Sequence, residues 1–200
     1  MITKIIHISD IHIRLFQRHK EYQTVFKRIF KFIEEIKDEQ SMIFLGGDIV
    51  HNKTDMSPEL IEVTSKFLKD CADLLPTALI CGNHDTNLNS TRLDALTPIV
   101  NSLNHPNLFY WKDTGVYKFG GIAFSVFSVF DPPSKWILAK DIKAKTKIAL
   151  HHGSVIGSFT DANHEIQTGI TLEHFEGFDL GLLGDIHRHS WLNEEKTIAY

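Results

Sequence analysis

Cysteine is nearly absent from this chain: Cys71 and Cys81 are the only two in 200 residues. They form no CxxC pair and no bridge framework, which excludes a disulfide scaffold and a thiolate zinc site. Cys71 falls on the apolar face of an expected helix and Cys81 at the end of an apolar strand, so both read as reduced core residues. Long apolar runs are missing too, and none approaches the length of a membrane-spanning helix. The opening Met1-Ile2-Thr3-Lys4-Ile5-Ile6-His7 lacks the shape of a secretory leader and reads directly as a strand, so a cytoplasmic protein with no membrane contact is expected. There is no basic excess either. Lys and Arg number 21 against 25 Asp and Glu, for a net charge of −4. A nucleic-acid surface usually carries a basic footprint, and on average this chain has none. Also missing are a Gly-x-Ser-x-Gly nucleophile elbow, an internal repeat, a low-complexity tract and a linker.

What is present suits one domain over residues 1–200, with 42% apolar and 23% charged residues. Buried strands are expected over 4–9, 42–45 and 77–81. Between them, Tyr22, Val25, Phe26, Ile29, Phe30, Ile33 and Ile36 recur at helical spacing and predict a helix over 22–37. Ser57-Pro58-Glu59 joins an N-cap, a first-turn proline and an acid, starting a helix that runs to about Leu74, where Pro76 follows. Helical signals return over 92–103 and restart at Thr97-Pro98. Further strands are expected over 108–111, 116–119, 122–129, 147–150, 180–183 and 197–200, with Gly120-Gly121 as a turn. Strand and helix alternate in the first half and strands dominate the second. An α/β fold follows: a β-sandwich flanked by helices, with crossovers in the N-terminal half. The chain stops at Tyr200 inside an expected strand, which predicts a fragment or a natural truncation at the C-terminus.

Histidine is abundant, at 12 residues, and much of it follows buried strands in company with Asp and Asn. Asp10-Ile11-His12 follows the first strand, Gly46-Gly47-Asp48 the second and Gly82-Asn83-His84-Asp85 the third. His151-His152-Gly153 and Gly184-Asp185-Ile186-His187 follow two later ones. Strand carboxyl ends are where open α/β sheets gather ligands, so these clusters are expected to converge. Singly each has an ordinary explanation: a DxH is common, GGD is usually a turn, and His151 could be a satisfied edge histidine. In this order, each behind a buried strand, they describe a two-metal centre. Asp10 and His12, at alternate positions, point the same way and can grip one ion. Asp48 has two oxygens and can bridge two cations about 3.5–4 Å apart. Asn83 offers a neutral carbonyl, and His151 and His187 offer ring nitrogens. Such mixed donors without thiolate favour manganese, iron or zinc over a soft metal. His152, on the opposite face from His151, reads as non-ligating.

The order DIH, GGD, GNHD, H-x-G and G-x-x-H resembles the calcineurin-like metallophosphoesterase superfamily over nearly the whole chain. Closer features are similar to the SbcD-type nuclease subunits of double-strand-break repair complexes, especially viral and phage members. These are His51 in Gly47-Asp48-Ile49-Val50-His51, the run Leu182 to His189, and the closing Ile198-Ala199-Tyr200. If the source is viral, the host cytoplasm becomes the expected location.

The resemblance implies one ion held by Asp10, His12, Asp48 and His187, and a second by Asp48, Asn83, His151 and Asp185. It implies His84 as the catalytic histidine, Asp85 as the group that orients it, and His51 as a contact to the scissile phosphate. Two divalent ions are implied, manganese first, with magnesium, iron or zinc as alternatives. Implied partners are DNA as substrate, an SbcC-type ATPase and a second copy in a homodimer. Two departures stand out. Many relatives carry Gly-His-x-His where this chain has Asp185. The pair is read as Asp185 and His187 because Gly184 anchors the turn, with His187 and His189 as the shifted alternative. And little of the family's capping domain and ATPase-gripping segment can fit after Tyr200. A phosphatase or small-molecule phosphodiesterase on the same centre is the alternative activity, and a non-catalytic scaffold the third reading.

Overall fold

The computed structural model describes residues 1–15, 18–88 and 93–200. Its described strands form two sheets with helices, the mixed α/β sandwich that the sequence pattern predicts. The first sheet is parallel throughout, in the order β1 (Lys4–Ile8), β2 (Ser41–Leu45), β3 (Thr77–Leu79), β4 (Leu108–Tyr110). Parallel neighbours need crossovers, and α1 (His19–Ile36), α2 (Pro58–Leu74) and α3 (Leu96–Leu103) supply them. The second sheet runs β5 (Gly115–Phe119), β6 (Ile122–Phe127), β7 (Lys147–His152), β8 (Leu180–Gly184), β9 (Ile198–Ala199). Only its first pair is antiparallel. Gly120 and Gly121, at φ 56° and 89°, turn that hairpin in the left-handed region that a two-residue loop requires.

Side-chain alternation sorts the strands into layers. On β2, Ile43 and Leu45 face α1 and α2, packing with Phe26, Ile33 and Phe67. Met42 and Phe44 face the other way and meet Phe124, Val126, Ile148 and Leu150 of the second sheet. Beyond that sheet Phe127, Ala149 and Leu183 pack under Trp136, Phe175 and Tyr200. Each sheet is therefore covered on both faces, which explains why β2 is buried at every residue.

Helix α1 begins one turn earlier than the apolar spacing alone predicts. Helix α2 starts where Ser57 predicts, with the Ser57 hydroxyl accepting from the Leu60 amide at 3.2 Å. The expected start of α3 at Arg92 lies outside the described residues. Within them the helix begins at Leu96, because the buried Asp94 carboxylate accepts from the amides of Leu96 (3.0 Å) and Thr97 (2.7 Å) and acts as a cap. The last strand is shorter than the 197–200 run suggests. Tyr200 turns its hydroxyl to accept from the Val155 amide at 2.8 Å and donate to the Gly153 carbonyl at 2.9 Å. Cys71 and Cys81 are free and buried, as expected.

Candidate metal centre

The segments leaving β1 and β2 run side by side, tied by amide bonds from Asp10 to Gly47 (3.1 Å), His12 to Asp48 (2.9 Å) and Ile13 to Ile49 (2.9 Å). That pairing sets Asp10 and His12 beside Asp48. It also holds three site residues in left-handed backbone, Asp10 at φ 57°, His12 at 50° and Asp48 at 52°, a region that side chains avoid unless their surroundings impose it. The GNHD segment then closes on Asp48. A Cβ on Gly82 would lie 2.1 Å from Asp48 Oδ1, so only glycine allows this approach.

Among the described residues donor atoms converge in three overlapping groups, each within 4.8 Å: Asp10, His12 and His187; Asp10, Asp48 and His152; His12, His51 and His84. The Nε2 atoms of His12 and His187 are 3.1 Å apart. His12 Nε2 lies 3.5 Å from Asp48 Oδ2, and His187 Nε2 lies 3.9 Å from Asp10 Oδ1. Asp48 is buried and receives the His84 amide at 2.8 Å. Burial works against its charge, but the hydrogen bond and charge of His152, the His84 amide and His12 together outweigh it and hold the carboxyl below its usual range. Burial also lowers the His12 pKa to about 4, leaving its ring neutral, the form in which imidazole binds a metal. His189, the shifted alternative, lies outside these groups and meets the Trp191 ring at 6.0 Å.

Between His151 and His152 the structure reverses the expectation. Ile148, Leu150 and His152 share the face of β7 that looks across the sandwich, so His152 reaches the loops of the first sheet. Its Nδ1 donates to the Gly46 carbonyl at 2.7 Å, and its Nε2 lies 3.0 Å from Asn83 Oδ1 and 3.3 Å from Asp48 Oδ1. In the metal-free protein burial disfavours the His152 cation, yet Asp48 prevails and lifts its pKa to about 9, so an ion held here would take the place of the Nε2 proton. His151 points to the outer layer, bonded to the Phe127 carbonyl at 2.9 Å and packed 4.9 Å from Trp136. Strand parity groups 148, 150 and 152 together, but β7 is buried on both faces, so only the opposing sheet shows which set looks inward.

Two further expectations are corrected. Asp85 does not orient His84. It is fully buried and accepts from the amides of Val50 and Gly82, each at 2.9 Å, which braces the loop; burial raises its pKa to about 7. The group that holds His84 is the His51 carbonyl, which accepts from His84 Nδ1 at 2.7 Å. Asp185 lines a cleft of about 440 Å³ with Asn83, His151, His152 and Ser154, but its carboxylate accepts from the Ser154 hydroxyl at 2.6 Å and joins none of the three donor groups. Its backbone amide donates to Asp10 at 3.0 Å. Ser154 and Tyr200 thus support this edge; Tyr200 closes the Ile198-Ala199-Tyr200 run noted in the sequence, while Ser154 carries no motif that would have singled it out.

The donors fit hard or borderline divalent ions: carboxylate oxygens, an amide oxygen and imidazoles, with no sulfur. Among the described residues neither Asp10 nor Asp48 has a Lys or Arg ion pair, and their basic neighbours are imidazoles. A cation would supply the missing charge.

The calcineurin-like phosphoesterase pattern matches residues 3–194. The chain belongs to that family. It is 47% identical, over all of its length, to "Uncharacterized protein R555" of Acanthamoeba polyphaga mimivirus, of which it covers 16%. It is 23% identical over 70% of its length to "Putative phosphoesterase 244L" of Invertebrate iridescent virus 6, covering 48% of that protein. The chain therefore spans less than half the length of these relatives. No helix among the described residues is long and apolar enough to cross a membrane.

Proposed function

We propose that this chain hydrolyses the phosphodiester backbone of DNA at a two-ion centre, as a manganese-dependent nuclease of the repair type. The observation that carries the reading is the placement of His51. Its ring stacks on His84 at 5.5 Å and 20°, and its Nδ1 comes within 3.4 Å of His12 Nδ1. Two imidazoles then stand beside the donor cluster, where a phosphodiester offers a non-bridging oxygen and a leaving oxygen. The His51 carbonyl holds the Nδ1 proton of His84, so a proton on Nε2 is the one free to pass to the departing oxygen. Divalent cations, when bound, supply Lewis acidity to the phosphate and to the attacking water. Asp10, His12, Asp48 and His187 would hold one ion, and Asp48, Asn83 and His152 the other, with Asp185 at its margin.

The net charge of −4 favours a second reading, a phosphatase or small-molecule phosphodiesterase on the same centre. The name of the iridescent-virus relative, a phosphoesterase, fits both. A scaffold without catalysis fits poorly, since Asp48, Asn83 and His84 are all in place. Incubation with manganese and end-labelled single- and double-stranded DNA, beside p-nitrophenyl phosphate, separates them. Cleaved DNA supports the nuclease; turnover of the monoester alone supports the phosphatase; neither, in protein holding two ions, supports the scaffold. An SbcC-type ATPase partner and a homodimer belong to the same proposal, tested by co-purification and light scattering.

A further inference from the structure

A groove of about 350 Å³ opens beside the centre, with Ile156, Phe159, Arg188 and Trp191 among its walls. Of the ten exposed large hydrophobic residues described, three crowd here: Ile156 at 43%, Phe159 at 42% and Trp191 at 47% exposure. We propose that this groove is a stacking subsite for an unpaired base of the strand being cut. The proposal rests on the nuclease reading above and specifies how that substrate is held.

Continuity with the centre is the first support. Arg188 directly follows His187, and Val155 directly follows Ser154, whose hydroxyl holds Asp185. The groove is thus lined by the residues next in the chain to His187 and Ser154, and the proposal places there a nucleotide neighbouring the one at the ions. Rigidity is the second. Trp191 pairs through its backbone with Ala199, and the Leu192 amide donates to the Ile198 carbonyl at 2.9 Å. The Asn193 side chain closes the turn, accepting from the amides of Thr197 (3.0 Å) and Ile198 (3.1 Å). The indole is thus presented by a braced hairpin, with His189 against it, and little ordering remains for binding. On the other wall Phe159 is fixed by a backbone bridge to Glu165. Between the walls Gly157 leaves open space, since a Cβ there would meet nothing within 4 Å.

Charge is the third support. Arg188 is exposed, bonded to Asn163 Oδ1 at 3.0 Å, and has no ion pair among the described residues. An unneutralised guanidinium next to exposed aromatics matches the way single strands are bound: the cation takes backbone phosphate and the rings take bases of any identity. It also answers the acidic net charge, because the positive footprint need only be local.

The test compares cleavage of a single-stranded oligodeoxynucleotide with that of an abasic tetrahydrofuran oligomer of the same length, in manganese-loaded protein. Wild type should favour the base-bearing strand by about tenfold in kcat/KM, in the range of base–aromatic stacking. Trp191→Ala should erase that preference by raising KM for the base-bearing strand, and Trp191→Phe should recover most of it. Arg188→Gln should flatten the salt dependence of KM by about one phosphate contact. Equal cleavage of the two oligomers by wild type overturns the proposal. So does a Trp191→Ala protein that keeps the preference, or that loses both substrates by the same factor. In each of these cases the nuclease reading survives. Turnover of a phosphomonoester with no cleavage of either oligomer sinks the nuclease reading and the groove with it.

Discussion

On one side of Asp48 lie Asn83 and His152, with the His152 side chain wholly enclosed; on the other lie His12, His51 and His187, with the His187 side chain 53% exposed. The enclosed side has both nitrogens of His152 engaged and a glycine-only approach behind Asp48. The open side has rings facing one another with fewer fixed partners. A closed, hydrogen-bonded donor set costs little to organise, whereas exposed rings must be ordered when the ion arrives. The enclosed position should therefore hold its ion more tightly, and the open one should exchange it and receive substrate.

The severest break is Asp48→Ala, because Asp48 belongs to both sides. Elemental analysis after manganese loading should find neither ion retained, and turnover should vanish. Two ions in that variant would remove Asp48 as the bridge. His84→Ala should lower turnover by a factor of roughly 100 to 10,000, the usual worth of a positioned acid, yet keep both ions. Loss of metal as complete as in Asp48→Ala would make His84 a ligand instead.

The comparison is sharpened by the neighbouring histidines. His152→Ala should lose the tightly held ion and His187→Ala the exchangeable one, while His151→Ala keeps both. Isothermal titration of the three variants reads this directly, and loss of an ion in His151→Ala would restore the original assignment. A smaller effect is expected at the margin. Asp185→Ala should weaken the enclosed-side ion less than His152→Ala does, and His189→Ala should change neither affinity.

The smallest effect lies beneath the centre, at His7. Its ring stacks on Phe44 at 5.3 Å, its Nε2 is buried with no hydrogen-bond partner among the described residues, and burial lowers its pKa to about 4. The unfolded chain takes up this proton near pH 6.5 and the folded one resists until about pH 4. Stability should thus fall as pH drops through that window, by on the order of 3 kcal/mol from this residue. His7→Phe should flatten the acid limb of a Tm-against-pH curve by several degrees. An unchanged limb would place the sensitivity elsewhere.

Much of this was legible in the sequence, for physical reasons. Apolar runs with β-branched residues marked the strands, and helical spacing marked α1 and α2. The convergence of Asp10, His12, Asp48 and His187 was readable because each lies just beyond the end of a strand. Asp85 was misread because adjacency to His84 in the chain is not adjacency of side chains; a turn sends one to the loop amides and the other to the cleft. The order of His151 and His152 needed knowledge of which strand face looked inward, and that depends on the opposing sheet. Ser154 meets Asp185, and Tyr200 meets Gly153, only through folding, so the sequence could mark Tyr200 as part of a resembling run but not its contact, and Ser154 not at all.

The left-handed backbone at Asp10, His12 and Asp48, joined by Asp185 at φ 100°, has an evolutionary corollary. Each such residue holds its place against a preference of roughly 1 kcal/mol for glycine. A copy of this chain released from selection on its chemistry would gain stability by drifting to glycine there, while its core stayed put. Retention of aspartate and histidine at these positions in distant descendants would therefore record continued use of the centre, and glycines would mark lineages in which it had fallen silent.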